Sequence, residues 1–194
     1  MVNDGAISKI SSRIKESLAP DTLIIHFSGT FSNNKIDPYF SNVSCAWPIQ
    51  SLSAHDDSID LKEIPLVITS STETTNRKTA SIFESISNQI YFFTEEEKSI
   101  LHLSAVFANN FTNHLYAVSK SLLEQNHLNF EILIPIIKQT TSKILTKSPE
   151  ESQTGPAIRE DKDTIAMHVD ILREQDDYQA IYNIMTKSII KSKK

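Results

Sequence analysis

The stretch IPLVITSSTETTNRKTASIFESISNQIYFFTEEE, residues Ile64–Glu97, decides the fold. Ile64 to Thr69 is a short apolar run of the kind a strand buried on both faces requires. Glu73 to Ser87 then carries Ala80, Phe83 and Ile86 on one helical face. Ile90-Tyr-Phe-Phe93 is a second apolar run. Strand, helix and strand in this order build α/β sheets with mainly parallel pairing. Directly behind them, Thr94 and Glu97 form a T-x-x-E capping box that starts a new helix.

Working toward the N-terminus, the α/β texture continues. Asp4 is positioned to cap a helix whose apolar face is Ile7, Ile10, Ile14 and Leu18, and Pro20-Asp21 breaks it. Thr22-Leu-Ile-Ile-His-Phe27 reads as a buried strand ended by Ser28-Gly29, and Val43 to Trp47 as another, stopped by Pro48. Working toward the C-terminus, the chain reads as helix. A helix from residue 95 to about Gln125 contains no Gly or Pro, and its stripe includes Leu103, Val106, Phe107, Phe111, Leu115, Val118 and Leu122. At roughly 30 residues it would be about 45 Å long, a length that suits packing on a second subunit or spanning two domains. Asn129 is placed to cap a helix over 130–146 kinked by Pro135. Ser148 to Ile158 reads as a loop, Asp161 or Asp163 as the cap of a helix reaching Glu174, and Tyr178 to Ile190 as a last helix before a frayed, solvated tail, Lys191 to Lys194. The expected fold class is α/β plus all-α, with a sheet domain over residues 1–94 and a helical domain over residues 95–194.

Composition narrows the function. Among 194 residues, 19 Lys+Arg against 24 Asp+Glu leave a formal net charge of −5, which argues against binding nucleic acid by phosphate neutralisation. One cysteine, Cys45, allows no internal disulfide and no multi-cysteine zinc site. The six histidines show no H-E-x-x-H spacing and no ligand cluster, so no metal site is expected; His55-Asp56-Asp57 reads as a solvated loop. Only Gly5, Gly29 and Gly155 are present, so neither common glycine-rich phosphate cradle exists in the sequence. Neither a signal peptide nor an apolar span of membrane length is visible, and a soluble cytoplasmic protein is the expectation.

Four places could carry chemistry. Ser28 and Gly29 end a strand, where open α/β sheets hold ligands; the Ser28 hydroxyl could equally cap its own turn. Cys45 lies within an apolar strand and reads as an inert core thiol. On the long helix, His102, Asn109 and Asn113 fall within about 40° on a regular α-helical wheel, with Asn110 and His114 further round. That seam suits either a cleft between domains or hydrogen bonds across a helix interface. Arg159, after the only Gly-Pro pair, could clamp a carboxylate or phosphate, or pair with Glu160, Asp161 or Asp163.

Taken together, His102-Leu-Ser-Ala-Val-Phe-Ala-Asn-Asn-Phe111, Gln139-Thr140 and Thr154-Gly-Pro-Ala-Ile-Arg159 resemble the helical C-terminal domain of a family of NAD(P)-dependent oxidoreductases. In that family a Rossmann-like domain precedes a helical domain of unknown function. The helical part is similar to the C-terminal domains of 6-phosphogluconate dehydrogenase and of pyrroline-5-carboxylate reductase relatives. His26-Phe-Ser-Gly29 resembles the family's strand-end His-x-Ser-Gly, and Trp47-Pro-Ile-Gln50 its Pro-x-Gln segment, with Trp47 where a histidine often stands. Arg159-Glu-Asp161 replaces a common Arg-Gly-Asp. The resemblance implies NADP or NAD as cofactor, Ser28 and Gly29 near its nicotinamide end, and a small-molecule substrate. It further implies catalytic roles for His102, Asn110 and Asn113, substrate contacts from Gln50 and Arg159, and a homodimer through the helical domain. His102 is the acid/base candidate, because imidazole exchanges protons near neutrality.

Met1-Val-Asn-Asp-Gly-Ala-Ile7 resembles the segment that follows the fourth strand of the family's dinucleotide-binding domain. The resemblance therefore implies a partial Rossmann-like sheet, truncated at its N-terminus and impaired in cofactor binding. A fragment or misplaced start, a partner supplying the first half, or loss of redox chemistry would each account for it. The alternative function is a non-catalytic dimerisation or ligand-binding module.

Overall fold

A computed structural model describes residues 3–51 and 60–193. His55-Asp56-Asp57 and Lys194 lie outside the described residues. The described chain forms two compact units, Met1–Thr112 and Asn113–Lys194.

The first unit is built on a four-stranded sheet ordered β1 (Leu23–His26), β2 (Asn42–Pro48), β3 (Leu66–Ser70) and β4 (Ile90–Phe92). β1 pairs with β2 and β3 with β4 in parallel, but β2 and β3 run antiparallel, with Ala46 opposite Ile68. The sheet is thus mostly parallel, with one reversal at its centre. Strand residues alternate between two cores, as the pleat dictates. On one face Val43 packs with Phe31, Ile36 and Phe40, joined by Ile24 and by Ile7 and Ile14 of α1 (Asp4–Ile14). On the other, Ala46, Leu66 and Ile68 pack with Ala80, joined by Ile25, Ile90 and Phe83. Ala80 and Phe83 belong to α2 (Glu73–Phe83), whose cap is Thr72, accepting the Thr75 N–H at 3.1 Å.

The capping box forms: Thr94 Oγ1 accepts the Glu97 N–H at 3.2 Å, and Glu97 accepts the Thr94 N–H at 2.8 Å. It opens α3 (Glu95–Ala105), which passes without a loop into a π-helical turn, Val106–Phe111, and then α4 (Thr112–Gln125). The second unit holds the rest of α4, then α5 (Ile134–Lys143), α6 (Pro149–Ser152), α7 (Pro156–Arg159), α8 (Lys162–Ile171) and α9 (Asp176–Ser192).

Local details correct the sequence reading. Asp4 does not cap α1; Asn3 holds that position without a side-chain hydrogen bond, and Asp4 is spent elsewhere. Pro135 starts α5 rather than kinking a longer helix, because its missing N–H is harmless in a first turn. Asn129 caps the preceding 3₁₀ turn, Phe130–Leu133. The stretch expected as a loop holds two single helical turns, α6 and α7. Asp161, not Asp163, caps α8. Among the described residues no helix is long and apolar enough to cross a membrane.

Candidate functional site

The end of β2, the residues that follow it and the inner side of α3 enclose an open cleft of about 430 Å³ within the first unit. Its polar lining is Gln50, Ser51, His102, Asn109 and Asn110, and Trp47 supplies an aromatic wall. The Trp47 and His102 rings lie 5.4 Å apart between centroids, tilted by 43°. Gly29 fills the notch between them. A Cβ there would stand 2.6 Å from Trp47 Cε2 and 3.0 Å from His102 Cδ2. Glycine at 29 is thus a requirement of close approach, not of backbone conformation. A smaller cavity of about 150 Å³, between Phe27, Pro48, Leu61 and Phe83, is apolar apart from Ser87. The Ser87 hydroxyl is already bonded to the Ile64 carbonyl at 2.7 Å, so that cavity offers nothing to orient a polar ligand.

The π turn explains why both asparagines reach the cleft. A π turn takes about one residue more than an α turn, which sets back the residues beyond it by roughly 100°. Asn110 thereby moves to the face that a regular helix would give to residue 109. Thr112 Oγ1 donates to the Phe107 carbonyl five residues back, at 3.1 Å. Such turns are frequent at functional sites. Among the described residues the side chains of Gln50, His102, Asn109 and Asn110 make no hydrogen bond to one another or to other protein groups.

Beside the cleft, the strand-end turn is closed upon itself. The Ser28 hydroxyl donates to Asp4 Oδ2 at 2.5 Å, as does Thr30 Oγ1. Ser28 Oγ also accepts from the N–H groups of Phe31 at 3.0 Å and Thr30 at 3.3 Å. These two hydroxyls hold the Asp4 carboxyl below its ordinary range. Cys45 donates to the Ser28 carbonyl at 3.2 Å; burial pushes its thiol up to about 12, so it stays protonated and inert.

Behind the turn lies a polar network that the sequence reading missed. Asn33 donates from Nδ2 to the Thr69 carbonyl at 2.8 Å, which leaves its Oδ1 to accept from His26 Nε2 at 2.9 Å. His26 Nδ1 in turn accepts the Ser28 N–H at 3.3 Å. Both ring nitrogens are satisfied only in the neutral Nε2–H form, and burial keeps the ring neutral by pulling its pKa down. Glu95 accepts the Asn33 N–H at 3.0 Å and pairs with Lys98 at 3.0 Å. Lys98, 1% exposed, also donates to the Phe31 carbonyl at 2.8 Å. Two signals stood in the sequence: His26 in the strand-end His-x-Ser-Gly, and the Glu95–Lys98 spacing of three on a helix.

Gly29, Gln50, His102 and Asn110 are therefore brought together, with Ser28 in the adjoining turn. Asn113 and Arg159 belong to the second unit. There Arg159 is mainly exposed and stands 4.0 Å from Asp161 Oδ2. Asp161 accepts from the Thr164 N–H at 3.1 Å and its hydroxyl at 2.8 Å, and these bonds lower its pKa. Among the described residues no three His, Cys, Asp or Glu side chains group as a metal site would need.

Residues 64–189 match the family described as domain of unknown function (DUF2520). The chain belongs to the DUF2520 family. Its structure is similar to that of a Bacteroides fragilis protein described as a "putative NADP oxidoreductase". The two are 32% identical with a TM-score of 0.89, over 98% of this chain and 73% of the other. A Thermotoga maritima protein is similar at 23% identity and TM-score 0.78, over 99% and 76% of the two chains. A Jannaschia sp. protein described as a "putative oxidoreductase" is 13% identical with a TM-score of 0.60, over 100% and 76%, which speaks to fold alone. None of the curated proteins compared matches the chain. A DUF2520 chain with a mostly parallel Rossmann-like sheet followed by helices thus has an oxidoreductase-like fold, in agreement with the resemblance carried by the motifs at 102–111 and 154–159.

The described residues do not fit the pyrophosphate of a dinucleotide at the end of β1. A pyrophosphate needs free backbone N–H groups at a strand-end turn. Here the N–H groups of Thr30 and Phe31 are taken by Ser28, and the anion already at the turn is Asp4.

Proposed function

We propose that the chain acts as an NAD(P)-dependent oxidoreductase on a small molecule held in the Trp47–His102 cleft. The observation that carries this reading is the imidazole of His102, packed on Trp47 and flanked by the amides of Gln50, Asn109 and Asn110, in a chain of oxidoreductase-like fold. In this reading His102 gives or takes a proton at a ring nitrogen, Gln50 and Asn110 orient the ligand through their amides, and Trp47 excludes water from one side. Asn113 as a catalytic residue and Arg159 as a substrate contact that clamps an anion keep the roles that the resemblance implies. The cofactor is NADP or NAD, bound weakly by this chain because its sequence holds no glycine-rich turn to cradle the pyrophosphate. A homodimer through the helices is part of the reading, supported by Leu103, Phe107 and Phe111, which are half exposed or more.

Trp47 is the only tryptophan, so its emission reads the cleft directly. Titrating the 194-residue chain with NADPH should give weak binding, and a sub-micromolar Kd would overturn the account of the turn. Reduced nicotinamide mononucleotide, which lacks the pyrophosphate bridge, should quench Trp47 in the native chain and less so in His102→Ala. No response to either compound would favour a second reading, a non-catalytic dimerisation or ligand-binding module. The carboxylate seated at the strand-end turn is the observation on its side.

A further inference from the structure

We propose that His26 is a pH-operated latch beside the cleft: the neutral ring holds the Ser28–Phe31 turn closed, and protonation at Nδ1 releases it. The geometry leaves no room for a charged ring without rearrangement. Nδ1 is the acceptor for the Ser28 N–H, and Nε2 is committed as donor to Asn33. A proton added at Nδ1 sets two donors against each other across 3.3 Å. Within the turn, Ser28 Oγ already accepts from Phe31 and the Ser28 carbonyl from Cys45, so losing His26 as acceptor means rearranging these bonds too.

Every element around the ring bears on the charge it could carry. From α3, the buried Lys98 ammonium opposes protonation and Glu95 favours it; from α1, Asp4 favours it more weakly. From β2, Cys45 stands opposite His26 in the register and remains a neutral thiol. Phe31 closes the last side with its ring edge-on, 5.2 Å from the imidazole centroid. Burial outweighs both these charges and the Asn33 hydrogen bond, which by itself favours the charged ring, so the neutral ring is preferred. The sign follows: the closed turn binds one proton fewer than the released turn. It is therefore fully formed above the ordinary imidazole pKa of about 6.5 and lost as pH falls below it.

The consequence reaches the cleft through one residue. Gly29 sits in the middle of this turn with its backbone against both the Trp47 and the His102 rings. Releasing the turn withdraws the backbone from that notch, so the two rings change their packing. The inference does not depend on the oxidoreductase reading, because Trp47 reports the change with no ligand present.

The test follows Trp47 emission between about pH 8 and pH 5, where imidazoles are the side chains that ordinarily change charge. The native chain should show a reversible shift with its midpoint below about 6.5 and unchanged far-ultraviolet dichroism. His26→Asn keeps an acceptor for the Ser28 N–H and cannot titrate; it should abolish the shift, while His102→Gln should retain it. A shift that survives His26→Asn and vanishes in His102→Gln would overturn the latch, since Trp47 would then be sensing His102 directly. Should His26→Asn fail to fold, the native chain decides by NMR, where three glycines make the Gly29 amide easy to assign. Ser28 and Gly29 amides moving with the His26 ring support the latch. Amides that stay still while the ring titrates, or a ring that stays neutral until the whole chain unfolds, overturn it.

Discussion

In the first unit Cys45, Ala46, Val67 and Ile68 are sealed from solvent, each 1% exposed or less; in the second, Ala157 and Leu172 are the only apolar side chains buried among the described residues. Leu145 at 81%, Ile132 at 75% and Ile184 at 67% show how much apolar surface the helices leave open. A sheet closes its own two faces within one unit, because α1 and α2 are supplied by the adjacent sequence. Helices with a broad apolar stripe need a further layer, and monomers rarely leave so large an apolar surface uncovered. The difference teaches that the sheet has a sealed centre of its own, whereas the helices, including Leu103, Phe107 and Phe111 at the end of the first unit, call for a surface outside themselves, which we propose is a second copy.

The largest effect should come from removing the sheet's centre. Ile68→Ala should cost about 2–5 kcal/mol in urea unfolding, independent of protein concentration, because the site is enclosed and cannot collapse fully. Ile132→Ala at its exposed position should change the stability of a lone chain by no more than about 0.5 kcal/mol. If a second copy covers the helices, the melting temperature of the native chain must fall on about hundredfold dilution. A melting temperature that does not move would break the explanation offered for the contrast.

Lys98→Met probes why the sheet unit tolerates a buried charge at all. The substitution keeps the length of the side chain but leaves the Phe31 carbonyl without its donor and Glu95 without its counter-ion. Glu95 keeps some exposure, so the expected loss is about 1–3 kcal/mol, the cost of one unsatisfied buried acceptor, and not that of a stranded buried charge. Chemical denaturation of the two proteins side by side measures it.

The contrast also separates what could be read from the sequence and what could not. The strand at Thr22–Phe27, the helix starting at Glu73 and the capping box at Thr94 are local patterns; the structure places the strand within one residue at each end, starts the helix at Glu73 but ends it four residues before Ser87, and forms the box as expected. Gly29 and His102 were recognisable as site candidates from a strand end and a helix seam. Pairing direction was not legible: period-two burial looks the same in either orientation, so the antiparallel β2–β3 contact left no trace. The π turn has no composition of its own, and a regular helical wheel misplaces every residue beyond Val106. The burial of Lys98 left no local trace either, because the carbonyl it bonds lies 67 positions away in sequence.

The smallest effect tests how far the second unit's local geometry departs from what its sequence prefers. Glu160 ends α7 with φ 53° and ψ 38°, a left-handed conformation, at the position where the related motif has glycine. A side chain there costs roughly 1–2 kcal/mol, and glycine's greater freedom when unfolded returns part of that, about 0.5–1 kcal/mol. Glu160 also bonds Lys193 at 3.1 Å, but both side chains are about half exposed, so that pair adds little. Replacing Glu160 by Ala removes the pair and keeps the strained backbone; replacing it by Gly removes both. Glu160→Gly should therefore be the more stable of the two by about 0.5–1 kcal/mol in thermal or urea unfolding. Equal stability of the two variants would mean that the left-handed turn at 160 is not populated in solution, and that the end of α7 relaxes until a partner surface fixes it.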